Sequence, residues 1–268
     1  QSTPFTVSIS FTTEMSEQAQ DGRLLLLLAN NNKSEPRFQI SDGLTTQLVF
    51  GIDVEGMKPG QEIILNAENA FGFPKRALSD IPAGEYYVQA LLNRYETFNL
   101  KTGHTVKLPP DQGEGQQWSR KPGNFYRVPL NSSLAPTRKA PIRLSMDQRI
   151  APIEEPKDSK YIKHIKIQSK LLTEFWGKPM YLGAHVLVPE GFDEHPEAKY
   201  PLMIFHGHFP SDFGGFSTEP PPADMDTTDF TARFGIYGYN KFQKQEAYNF
   251  YKQWTSKNFP RFLIIEVQ

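Results

Sequence analysis

The sequence contains no cysteine in 268 residues. That excludes disulfides, thiolate metal sites and a cysteine nucleophile together. It also lacks an excess of either charge: 29 basic and 30 acidic residues leave a formal charge of -1. Without a basic field there is no footprint for a nucleic acid, and no acidic tail suggests a charged partner. Long hydrophobic runs are missing too. The longest aliphatic stretch, Leu24 to Ala29, falls far short of the roughly 18 residues expected of a membrane span. No internal repeat is evident. The chain starts at Gln1 with neither Met nor a basic-then-apolar leader, the pattern expected of a mature end left by signal-peptide removal, and it leads us to expect a secreted or periplasmic protein.

What the chain has is ample apolar material, 38% hydrophobic and 13% aromatic, enough for the cores of about two domains. In Phe5 to Thr12, apolar and polar residues alternate as in a half-buried strand. Asp21-Gly22 turns the chain into Arg23 to Ala29, five of whose seven residues are Leu, and this run predicts a strand covered on both faces. Further strands are predicted over Leu48 to Val54, Glu62 to Asn66 and Tyr86 to Leu92, with a hairpin turning at Lys101-Thr102-Gly103. The spacing predicts an antiparallel β-sandwich over residues 1–130, similar to immunoglobulin-like modules but held by packing alone. Trp118 lies in a Gly-rich polar loop, where it either stacks on a sugar or pins the loop to its own domain. Residues 131–158, rich in proline and mixed charge, read as a linker.

Residues 159–268 carry a different pattern. Tyr161 to Leu171 and Met180 to Val188 read as a hairpin turning at Gly177-Lys178-Pro179. Leu202 to Phe205, bounded by Pro201 and Gly207, reads as a strand buried on both faces. From Asn240 to Lys257, the spacing of Ala247, Phe250, Tyr251 and Trp254 predicts one apolar helical stripe. Phe262 to Val267 then predicts a second buried strand. Strand, helix, strand makes a βαβ unit with parallel strands.

The segment YPLMIFHGHF at Tyr200 to Phe209, with GAHVLVPEGFDEHPEAKY before it, resembles the N-terminal part of an esterase-type α/β-hydrolase. The resemblance implies a β-sandwich followed by an α/β domain that is the N-terminal part of an α/β-hydrolase sheet. It implies an oxyanion hole at Gly207, His208 and Phe209, whose backbone N–H groups face developing negative charge. In the same loop, His206, Asp212, Phe213 and Phe216 are substrate-side candidates, the aromatics as walls of an aromatic or acyl-binding pocket. The family's G-x-S-x-G elbow is absent from the sequence. The expectation is therefore that nucleophile, base and acid lie on a missing C-terminal portion of the same domain, with an ester as small molecule or polymer for substrate.

No cofactor is called for, and a homo-oligomer remains compatible. Two other functions stay open: a non-catalytic binder of polysaccharide or protein, and a metal-dependent hydrolase. The second rests on His206 and His208, an H-x-H pair whose rings an extended strand points to one side. The alternative for that pair is one imidazole packed beneath the loop and one lining a pocket. Asp224, Asp226 and Asp229 read as helix capping or as a loose acidic cation site that lacks the EF-hand order.

Overall fold

The computed structural model describes residues 6–111, 115, 117–134, 140–206, 213–231 and 234–268. Two compact units divide the chain at Glu154 and Glu155.

The first unit is a β-sandwich. Its smaller sheet orders β11 (Ile142–Met146), β1 (Val7–Phe11) and β4 (Ile63–Leu65), with β1 parallel to β11 and antiparallel to β4. The larger sheet runs β12 (Gln148–Arg149), β9 (Phe125–Tyr126), β6 (Gly84–Arg94), β2 (Gln20–Ala29), β3 (Leu48–Met57) and β5 (Phe71–Phe73), with β10 (Leu130–Leu134) also paired to β6. A separate hairpin joins β7 (Glu96–Asn99) to β8 (Thr105–Leu108), across the turn predicted at Lys101-Thr102-Gly103.

Alternation explains the core. Val7, Ile9 and Phe11 of β1 are fully buried against Leu24, Leu26 and Leu28 of β2 and Phe50 of β3. The intervening Leu25 and Leu27 face the other way, where Leu91, Trp118, Tyr126 and Ile150 cover them. The five-leucine run is thus buried on both faces, and Trp118 packs its loop onto its own unit. The segment read as a linker from residue 131 proves largely structural instead, because β10, β11 and β12 lie within it and pair with β6, β1 and β9. The apolar alternation of Ile142, Leu144 and Met146, all buried, was masked by the prolines on either side.

The second unit corrects the expected fold class. Strand accounts for 37% of the structure and helix for 12%, with two α-helices among the described residues. That fits a β-sandwich but not part of an α/β-hydrolase, whose parallel sheet needs helices on both faces. The unit's main sheet is mixed, in the order β13 (Ile162–Gln168), β14 (Tyr181–Leu187), β18 (Leu263–Val267) and β15 (Leu202–Phe205). Both pairings of β14 are antiparallel, and β15 with β18 is parallel. A short ribbon joins β16 (Phe230–Thr231) to β17 (Ile236–Tyr237).

Two local readings change as well. The β13–β14 connection holds a helix, α1 (Lys170–Trp176), capped by the Ser169 hydroxyl and ended at Gly177 with φ of 67°. The run Leu202 to Phe205 is not buried on either face, since all four residues are exposed and β15 is a sheet edge. Four apolar residues in a row cannot by themselves distinguish a covered strand from an uncovered one.

Candidate functional site

In the second unit, α2 (Tyr239–Trp254) covers one sheet face. Trp254 is buried with Leu187 of β14 and Ile264 of β18, while Phe250 and Tyr251 pack against the same cluster. The Trp254 Nε1–H donates to the Val188 carbonyl at 2.8 Å, tying the helix to the end of β14. At the helix start, the Asn240 amide donates to Asp229 Oδ2 at 3.5 Å, and Asp226 Oδ1 accepts from the Thr228 amide and hydroxyl. Asp226 thus closes a local turn and Asp229 reaches the first turn of α2 from outside it; the helix itself starts after Gly238 with no side-chain cap, so neither residue caps a helix as expected.

The carboxyl ends of β15 and β18 meet at one edge, where Phe205 pairs with Glu266. The same level crosses the sheet to His185 of β14 and His164 of β13. Directly paired residues share a face, so His164, His185, Glu266 and Phe205 form one row on the helix side. His185 is fully buried, and its ring meets that of His164 edge-on at 5.1 Å. The Nδ1 of His164 lies 3.1 Å from Asp158 Oδ1, which also accepts the His164 backbone N–H. Those two hydrogen bonds, backbone first, hold the Asp158 carboxyl below its ordinary value. Sequence reasoning missed this row. Its signal was a histidine inside the apolar strand GAHVLV, a polar residue where burial demands a partner.

At the other end of the β13–β14 pairing, just before Ile162 and after Leu187, the Glu190 carboxylate accepts from Lys160 Nζ and from the Tyr161 hydroxyl, each at 2.6 Å. Burial first, then the bond to Glu190, pushes the Tyr161 phenol up to about 12. The same pair of donors, Lys160 first, lowers Glu190.

The predicted site residues fall as follows. His206 follows β15 directly and is exposed at the carboxyl edge. Gly207, His208, Phe209 and Asp212 lie outside the described residues. Phe213 packs against the α2 cluster and Phe216 is part of it, in ring contact with Tyr161, Phe250 and Tyr251. These two aromatics anchor the returning loop. Among the described residues, no three His, Asp or Glu side chains are grouped to hold a metal ion. No helix among them is long and apolar enough to cross a membrane.

Comparison of the chain with protein-family models, with curated proteins and with solved structures finds no match in any of the three.

The uncovered face of the same sheet is the other notable feature. Ile165, Ile167, Leu182, Leu202 and Ile204 point away from α2 and are all exposed, Ile204 at 66%. None of the residues of α1 is buried. This apolar face runs out to the all-apolar edge strand β15.

Proposed function

We propose that the protein is an exported, esterase-like hydrolase acting on an ester or related acyl bond. In this reading a serine nucleophile, its histidine base and its acid are carried by polypeptide outside these 268 residues. The observation that supports it most is the parallel register from Leu202 opposite Leu263 to Phe205 opposite Glu266, with α2 as the connection. A parallel strand–helix–strand unit opens its first loop at the carboxyl edge, where such units bind ligands. That loop begins at His206 and returns through Phe213 and Phe216, which fix its far end on α2.

The chemistry needs donors aimed at the oxyanion of a tetrahedral intermediate. The backbone N–H groups of His208 and Phe209 would supply them, with Gly207 permitting close approach of the acyl carbon. His206 and Asp212 would border the substrate. The serine would attack the carbonyl carbon while the histidine takes its proton, and the alkoxide would leave with that proton.

The test is labelling of the protein, translated through its whole reading frame, with a fluorophosphonate. The expected result is one modified serine outside these 268 residues, insensitive to chelator. A folded protein that takes up no label, or a labelled serine inside the 268 residues, would contradict the proposal. Activity lost to chelator and restored by zinc would instead favour the His206 and His208 metal reading.

A further inference from the structure

We propose that the sandwich carries a separate binding site for a neutral glycan, in the cleft on the outer face of β2, β3 and β5. The cleft has a volume of about 620 Å³, within the usual span of small-molecule sites. It rests on the first unit alone and is independent of the hydrolase reading.

The floor is shaped by a glycine. Gly51 of β3 pairs with Leu25 of β2 on one side and Phe71 of β5 on the other. A Cβ there would stand 2.9 Å from Leu25 Cδ2 and 3.3 Å from the Leu24 carbonyl. Glycine inside a strand often marks close approach of another group, and here it lets the Leu25 side chain lie across β3, so that Leu25 and Phe71 form an apolar floor and wall. Phe71 rises from the outer wall with 83% of its surface exposed, and Phe73 stands beside it at 49%. Both point outward because the intervening Gly72 lies against the buried Phe50 ring.

At the next level of the floor, Arg23 and Asp53 face each other across β2 and β3. The guanidinium donates Nε to Oδ1 at 2.9 Å and Nη2 to Oδ2 at 2.8 Å, a bidentate pair with both side chains more than half exposed. The pair is planar, without net charge, and keeps a free Nη1 and outward lone pairs. Asn69 closes that end, held by its own bonds to Ile64 and Asn66.

These features select the ligand class. An anion at Nη1 would lie against the Asp53 carboxylate and a cation at the outward lone pairs against the Arg23 guanidinium, so the neutral pair offers neither a net attraction. A vicinal diol needs none, since it donates to the carboxylate and accepts from the guanidinium at once. The C–H face of a pyranose fits the electron-rich face of the Phe71 ring. An extended peptide pairing with β5 is disfavoured, because the outward Gly72 amide already donates to the Arg76 carbonyl at 3.0 Å and Pro74 has no amide to offer.

The experiment is calorimetric titration of the whole chain with neutral hexasaccharides of xylose, mannose, glucose and galactose, and with hexagalacturonate. At least one neutral hexasaccharide should bind. Phe71→Ala and Arg23→Ala should each weaken it about tenfold, and Phe242→Ala, an exposed aromatic in the other unit, should change it less than twofold. Circular dichroism of each variant confirms that the fold is kept. The proposal is overturned if no neutral hexasaccharide binds below about 10 mM, if hexagalacturonate binds best, or if Phe71→Ala and Arg23→Ala bind as the parent does.

Discussion

Single residues decide much of this structure by what stands where a side chain would be. At Gly72 a Cβ would meet the Phe50 ring at 2.3 Å and the Lys75 carbonyl at 2.4 Å, and neither is free to move. Gly72→Ala is expected to lower the stability of the sandwich by about 1–3 kcal/mol, the range for overpacking, as measured by urea unfolding. Gln89 acts by satisfaction instead of space. Fully buried, it donates to Glu35 and the Arg127 carbonyl and accepts the Arg37 amide. Replacing it with Ala strips three groups of a partner, so a loss of about 1–3 kcal/mol is expected in the same assay. Tyr161 gives a pH signature. Its folded value, raised from 10.0 to about 12, means that its contribution to stability is full below pH 10 and is lost as pH climbs through 12. Among the eleven tyrosines, the step removed by Tyr161→Phe in an ultraviolet titration should lie near that upper value. A removed step near 10 would contradict the assigned bond to Glu190.

Among the elements, α2 was the most legible. Its stripe of Ala247, Phe250, Tyr251 and Trp254 turns inward as helical spacing requires, and Trp254 carries the contact. Trp254→Ala removes a buried ring and its bond to Val188, and the second unit is expected to lose about 3–5 kcal/mol, seen as an earlier thermal transition. The β1 and β2 patterns were also legible, since alternation and a leucine run have one reading each in a two-sheet core. Short strands such as β5, β9 and β12 gave no periodicity to read, and Ile142 to Met146 was hidden by neighbouring prolines. β15 was misread because an apolar run reports composition and not cover. Its edge position gives a prediction of its own: the chain should bind the apolar dye ANS and self-associate as concentration rises. Ile204→Lys should reduce both, because a charge on an exposed edge opposes pairing.

At the level of the whole molecule, two units with separate cores explain why the sequence divided cleanly into a strand-rich half and a strand–helix–strand half. The division between them, at Glu154 and Glu155, was harder to place because composition there changes before the structure does. The His164–His185–Glu266 row left only the histidine of GAHVLV as a sign in the sequence, and the Arg23–Asp53 cleft left none. Each is assembled by strand register, and register depends on pairings that one sequence does not display. The claim on which the proposed function rests is that a serine outside these residues attacks an acyl group. Fluorophosphonate labelling of the protein translated through its whole reading frame tests it most directly. One modified serine outside the 268 residues is the predicted result, and a folded protein that takes up no label would contradict it.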